Sequence, residues 1–194
     1  MITLEPPREP AAREAGSESV GDAAAWKALG LSRAGLTRFL RTAQAAAGLK
    51  GVVDVLLADD RTLRRLNRQF RGKDKATDVL SFPSATEVAA EYAGDLAISL
   101  DTARRQADEH GHSLRDEVRI LLLHGMLHLS GMDHETDDGA MAAREGRLRT
   151  RLGLPDGLIA RAEKAALRAR TKTKTKAKAK AKAKTKVKSS RVRA

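Results

Sequence analysis

Apolar residues recur at two spacings along this chain, and these spacings predict alternating helices and strands. Between Ser32 and Gly48 they fall at 36, 39, 40, 43 and 47, which is one face of a helix with serine as its N-cap and glycine at its end. A short β-branched run at 52–57 predicts a strand instead. The same patterns predict a helix capped by Asp59 or Asp60, strands at 79–83 and 94–100, and helices from Asp101 or Thr102 to His110, after Ser113, and from Asp138 to Leu152.

The helix after Ser113 is apolar on nearly every side. From Ile120 to Leu129 the run is interrupted only by His124, Gly125 and His128. A helix that is apolar all round is buried. We therefore expect this helix at the centre of the domain.

Composition divides the chain into three parts. Residues 1–29 are rich in Pro, Ala, Gly and Ser and are predicted to be mostly disordered, although Met1–Leu4 could add a short edge strand. The predicted helices and strands place the folded domain at 30–160. Residues 161–194 are rich in Lys, Ala and Thr, with lysine at every second position from 172 to 188. Because these lysines repel one another, we expect a disordered basic tail.

The tail accounts for the net charge of +12, because residues 168–194 hold thirteen positive charges and no acid, which leaves −1 for residues 1–167. Such a tail attracts polyanions such as RNA without reading their sequence. The alternative is a solubility or processing extension.

Other features of the composition exclude several classes of protein. The chain has no cysteine, so it has neither disulfides nor a thiolate metal site. No apolar run approaches the roughly 20 residues of a membrane span, and the N-terminus lacks the pattern of a signal peptide. We therefore expect a soluble, cytoplasmic protein with no membrane partner.

Three of the five histidines fall within eleven residues. His124 and His128 are four apart and share one face of a helix, and Gly131 permits the turn that returns His134 to them. A lone histidine on an apolar helix is more often a hydrogen-bonded core residue, but three at this spacing favour a metal ion. Three neutral imidazoles with an open fourth position are typical of catalytic zinc, which lowers the pKa of a bound water.

Metzincin peptidases share this histidine spacing, but they carry a glutamate general base directly after the first histidine. Gly125 occupies that position here. The missing base is worth about 10² to 10⁴ in rate, so the metal site stands and the peptidase hypothesis is weakened. His110 and His112 lie in a polar stretch and are predicted to be solvated helix-end residues.

A polar loop follows the second helix at 71–78. Arg71 and Lys73 in this loop could contact phosphate, since guanidinium offers a planar fork that matches phosphate oxygens. The alternative is an ordinary charged connector.

Three segments together resemble the YbeY family of bacterial endoribonucleases and rRNA maturation factors. They are Leu66–Phe82, which contains Thr-Asp-Val-Leu-Ser-Phe, then Gly94–Leu96, then His124–Glu135. The resemblance covers about residues 50–155. It implies an α/β fold of α+β type, with a small mixed sheet packed against helices and the metal-binding histidines on a central helix.

Carried over by position, the resemblance implies one zinc ion on His124, His128 and His134, with Arg71 as the functional arginine. It also implies cleavage of single-stranded RNA, in maturation of the 3′ end of small-subunit (16S) rRNA and in ribosome quality control. The implied partners are the small ribosomal subunit and an assembly GTPase.

As a working hypothesis, Arg71 stabilises charge on the phosphate oxygens. The group that handles proton transfer stays open between a hydroxide on the metal, the RNA 2′-hydroxyl and a nearby group such as Asp133. The choice between hydrolysis and transesterification stays open as well. Two other functions also stay open: a non-catalytic rRNA-binding assembly factor with a structural zinc, and a metalloendopeptidase.

Overall fold

The computed structural model describes residues 1–4 and 20–155. The strands are β1 Ile2–Leu4, β2 Val52–Ala58, β3 Val79–Pro83 and β4 Tyr92–Ser99. The helices are α1 Val20–Ala28, α2 Arg33–Ala47, α3 Asp60–Arg71, α4 Leu100–His110, α5 Leu114–Leu129 and α6 Ala140–Leu152, with a short 3₁₀ turn at Thr86–Val88.

The four strands form one mixed sheet in the order β1-β2-β4-β3. Strands β1, β2 and β4 run parallel, with Ile2 opposite Val55 and Val55 opposite Leu96. Strand β3 is antiparallel to β4, with Ser81 opposite Leu96. The predicted α/β fold with a small mixed sheet packed against helices is confirmed.

The two faces of the sheet are covered unequally. One face packs against α1, α2, α4 and α5 in the main core, to which Val55, Leu57 and Ile98 contribute from the strands. On the other face, Leu63 of α3 packs against Leu80 and Ala97 in a smaller cluster. Because parallel strands need crossover helices, this division follows from the alternation of strands and helices in the sequence.

Helix α5 lies at the centre of the main core, as its apolar sequence predicts. Its side chains from Ile120 to Leu123 are at most 1 % exposed, and those of Met126 and Leu127 are fully buried. The helix therefore holds its histidines against a rigid, close-packed interior.

Helix termini follow the predicted capping residues in most places. Ser32 accepts a hydrogen bond from the amide of Gly35 at the start of α2, and Gly48 ends that helix with φ 66°. Asp59 caps α3. Helix α4 begins slightly earlier than predicted, because the side chain of Ser99, the last residue of β4, already caps it.

In the described part of residues 1–29, the structure contains the edge strand that the sequence allowed and a helix, α1, that it did not predict. Met1–Leu4 contribute the edge strand, with Ile2 only 2 % exposed, and α1 buries Trp26 in the main core. Composition averaged over a Pro- and Gly-rich stretch does not register two large apolar side chains that find tertiary partners. Residues 5–19 and the predicted tail at 161–194 lie outside the described residues, so the boundaries at 30 and 160 stay predictions.

None of the helices in the described ranges is both long and apolar enough to cross a membrane.

Candidate metal centre

The turn that follows α5 returns the chain toward the helix it has just left. Gly131 adopts φ 83°, its amide donates to the carbonyl oxygen of His128, and the amide of Met132 donates to that of Leu127. This pair of bonds is a Schellman motif, which needs a left-handed residue and so favours glycine. The turn brings His134 back to the histidines of α5, as the sequence predicts.

The three predicted ligands converge. One nitrogen from each of His124, His128 and His134 lies within 4.8 Å of the other two. The Nε2 atoms of His124 and His128 are 3.1 Å apart. Two nitrogens on one zinc ion at about 2.1 Å are at most about 4.2 Å apart, so this pair already has a suitable spacing. The donor set therefore fits a metal ion that prefers imidazole.

Exposure increases across the cluster, from buried His124 through partly buried His128 to exposed His134. Burial, followed by the neighbouring His124 and His134, lowers the pKa of His128 below its ordinary value of 6.5. His128 is therefore neutral at pH 7, which is the protonation state that binds a metal. The cluster opens to solvent on the His134 side.

A carboxylate that sequence reasoning missed holds the first histidine. Glu145 of α6 is 2 % exposed, and its Oε1 lies 3.0 Å from Nδ1 of His124. With Nδ1 bound to the carboxylate, Nε2 is the nitrogen left for a metal, as in the carboxylate–histidine–zinc arrangement. A signal was present, because Met141, Glu145 and Leu148 share the apolar face of α6 at helical spacing.

Local contacts fix the position of α6 and hence of Glu145. The Asp137 carboxylate accepts hydrogen bonds from the amides of Gly139 and Met141 at 3.1 Å and 2.8 Å, which satisfies two donors at the start of the helix. Arg144 donates to the carbonyl oxygen of Ala47 at the end of α2. Helix α6 is therefore anchored one residue away from the carboxylate that contacts His124.

Gly125 faces the sheet rather than the histidine cluster. A Cβ atom at this position would lie 2.7 Å from Cδ2 of Leu96 and 3.3 Å from Oγ of Ser81. A glutamate side chain, as in metzincins, would have to displace the buried Leu96 side chain. The close approach of α5 to β3 and β4 therefore explains why position 125 is a glycine. It gives the peptidase hypothesis no support.

Arg71 is the last residue of α3, and its side chain is exposed. Gly72 ends the helix after it with φ 66°. Within the described ranges no hydrogen bond or ion pair joins Arg71 to the three histidines. The structure therefore brings together the three predicted ligands, and the role of Arg71 remains a proposal.

The prediction that His110 and His112 are both solvated is wrong for His112. Its side chain is 11 % exposed, and Nε2 contacts Oε2 of Glu117, which is fully buried. A buried carboxylate is costly without a polar partner, so this histidine serves the packing of α4 against α5. His110 is exposed.

The part of the chain that contains the three histidines is similar to one family of known proteins. The sequence profile of endoribonuclease YbeY matches residues 29–153. The chain is 53% identical over 143 residues to the endoribonuclease YbeY of Koribacter versatilis, covering 74% of this chain and 92% of that protein. It is 53% identical over 133 residues to that of Solibacter usitatus, covering 69% of this chain and 88% of the relative.

A solution structure of a Thermotoga maritima protein aligns with a TM-score of 0.44 at 24% identity, over 78% of this chain and 89% of that one. This match adds nothing to the fold described above. The sequence profile covers well over half of the chain, including α5 and its three histidines. The chain belongs to the YbeY endoribonuclease family.

Proposed function

We propose that this chain is a zinc-dependent endoribonuclease that cuts single-stranded RNA. The observation that carries the proposal is the convergence of His124, His128 and His134, with His124 held by Glu145, inside the region that matches the YbeY family. The expected biological substrate is the 3′ end of small-subunit rRNA. The expected setting is the cytoplasm, with the small ribosomal subunit and an assembly GTPase as partners.

The chain's own residues have separate roles in this proposal. The three imidazoles bind the metal ion through nitrogen, and Glu145 orients the His124 ring. A zinc ion in such a site supplies Lewis-acid chemistry at the phosphate and lowers the pKa of a water. Arg71 offers its guanidinium fork to the phosphate oxygens, where negative charge increases during cleavage.

The test compares cleavage of a single-stranded RNA that carries the 3′ end of small-subunit rRNA by the zinc-loaded wild type and by two histidine variants. His128→Ala removes a ligand from α5, and His134→Ala removes an exposed ligand with little risk to folding. His110→Ala is the matched control, since His110 is exposed and outside the cluster. Bound zinc is measured for every protein by mass spectrometry of the metal.

We expect both ligand variants to lose bound zinc and to cleave RNA at least 10³-fold more slowly. His110→Ala should behave as the wild type in both measurements. Equal cleavage by all four proteins would overturn the proposal and indicate a contaminating nuclease. RNA binding without cleavage by any of them would favour the non-catalytic assembly factor. The product end, either a 3′-hydroxyl or a 2′,3′-cyclic phosphate, distinguishes hydrolysis from transesterification.

A further inference from the structure

One face of α3 carries a continuous row of arginines. Each member lies three or four residues from another member, so they share the side of the helix opposite Leu63 and Leu66, which face the sheet. All of them are exposed. We call this row the arginine face, and its members are Arg61, Arg64, Arg65, Arg68 and Arg71.

Most of the positive charge on the arginine face is not neutralised within the protein. Arg64 forms a bidentate pair with Asp74, both bonds being 2.8 Å long. Among the described residues, no carboxylate lies within ion-pair distance of the other four members of the face. Like charges three or four residues apart on a helix destabilise it, so the row has no evident value to the fold.

The residue type and the length of the face indicate which anion it would bind. All five cations are arginine, whose planar fork binds phosphate oxygens in a bidentate manner. The ten helical steps from Arg61 to Arg71 span about 15 Å. Successive phosphates of one duplex strand are about 3.4 Å apart along the axis, so the face accommodates more than one phosphate. A chain of regularly spaced phosphates, such as a nucleic-acid backbone, is therefore the ligand that matches this face.

Strand β3 connects the C-terminal end of the arginine face to α5. The C-terminal member of the face is Arg71, the residue proposed to contact the phosphate that is cut. After a short loop the chain enters β3, where the hydroxyl of Ser81 donates to the carbonyl oxygen of Gly125 on the metal-bearing helix at 3.4 Å. Strand β3 therefore follows the arginine face along the chain and contacts α5, which packs on the opposite face of the sheet from α3.

We infer that the arginine face binds the phosphate backbone of the single-stranded RNA substrate outside the point of cleavage. This inference rests on the proposed function for the identity of the RNA. Arg61, Arg65 and Arg68 bind substrate and transition state equally, because they are remote from the reacting phosphate. Their loss therefore raises KM and leaves kcat unchanged.

The experiment compares two triple variants of the full-length, zinc-loaded protein. The first is Arg61→Gln/Arg65→Gln/Arg68→Gln. The second, the matched control, is Arg38→Gln/Arg41→Gln/Arg104→Gln, which removes the same charge from exposed positions on α2 and α4. Binding is measured by fluorescence anisotropy over a range of salt concentrations. The probe is a 2′-O-methyl RNA oligonucleotide, and a gel checks that it stays intact.

Each phosphate neutralised on a single strand contributes about 0.7 to the slope of log affinity against log salt. We expect the first variant to lower this slope by about 2 and to raise KM for cleavage at least tenfold with kcat unchanged. The control should match the wild type in slope and in KM. Circular dichroism and Tm confirm that both variants are folded.

Equal losses in the two variants would overturn the inference, because they would show attraction by overall charge alone. An unchanged slope in the first variant would also overturn it. Displacement of the probe by polyglutamate from the wild type but not from the first variant would instead assign the face to an acidic protein. If the wild type cleaves no RNA, the proposed function fails, whereas the slopes still report on the arginine face.

Discussion

The buried carboxylate of Glu145 holds the buried imidazole of His124, with 3.0 Å between Oε1 and Nδ1. The two residues are twenty-one positions apart and lie on different helices. This contact orients one of the three histidines that could hold a metal ion.

Replacing Glu145 should weaken zinc binding, because partners of this kind contribute about 10- to 100-fold in metal affinity. Glu145→Gln keeps the shape of the side chain and an acceptor oxygen but loses the charge, so we expect it to lose less zinc affinity. Glu145→Ala removes the whole contact and should lose more. Competition with a chromogenic chelator measures the affinity. Glu109→Gln, an exposed carboxylate on α4, is the control. Wild-type affinity in both Glu145 variants would show that this contact does not support the site.

Arg71→Ala should leave zinc content unchanged and reduce the rate of RNA cleavage by about a hundredfold, the typical loss of one donor to developing negative charge. Arg71→Lys should recover only part of the rate, since lysine keeps the charge and loses the planar fork. Single-turnover cleavage of the rRNA 3′-end substrate measures both. Arg104→Ala serves as the control on α4. If Arg71→Ala cleaves normally, Arg71 does not act at the phosphate.

Gly125→Ala should destabilise the fold, because the added methyl group meets the buried Leu96 side chain at 2.7 Å. Overpacking typically costs about 1–3 kcal/mol, and improved helix propensity offsets about 0.5–1 kcal/mol of it. We expect a net loss of about 1 kcal/mol in the free energy of unfolding, measured by urea denaturation.

Gly146→Ala is the matched control, since Gly146 is also inside a helix and nothing lies within 4 Å of its added Cβ. It should stabilise the protein by about 0.5–1 kcal/mol. Stabilisation by both substitutions would mean that the contact between α5 and β4 relaxes freely.

Stability in acid should depend on Asp60 at the start of α3. Burial alone would raise the pKa of its carboxyl, but hydrogen bonds from Ser99, Thr102 and Arg105 outweigh burial and bring the pKa below 3.8. Because the folded-state pKa lies below the unfolded one, the ionised carboxylate stabilises the fold fully above the unfolded value. This contribution is lost as the pH falls through the folded pKa.

The free energy of unfolding of the wild type should therefore fall more steeply between about pH 5 and pH 3 than that of Asp60→Asn. Chemical denaturation at several pH values measures both curves. Asp108→Asn on α4, an exposed carboxylate, should follow the wild type. Parallel curves for the wild type and Asp60→Asn would contradict the prediction.

The cluster of three histidines was predictable because the information that defines it is local. A spacing of four on one helix aligns His124 with His128, and one glycine with a left-handed backbone returns His134 within a single turn. The caps at Ser32 and Asp59 were predictable for the same reason, since each cap satisfies amides within three residues of itself.

The N-terminal segment shows where local reasoning fails. Ile2 has no stabilising neighbour within its own three-residue strand. It is buried because β1 pairs with β2, where Val55 lies opposite it on the adjacent strand. The side chain of Trp26 is buried in the same core. Composition describes what a segment can bury by itself, whereas these residues are buried by partners far along the chain.

By itself, the sequence determined helices α2 to α6, most strands, the central position of α5 and the three imidazoles, because period, caps and turns act over a few residues. Only the tertiary structure decided the strand order β1-β2-β4-β3, the carboxylate behind His124 and the close contact of Gly125 with Leu96. These three features depend on which distant surfaces meet. That is decided when helices and strands pack to exclude water, and no local pattern of residues specifies it.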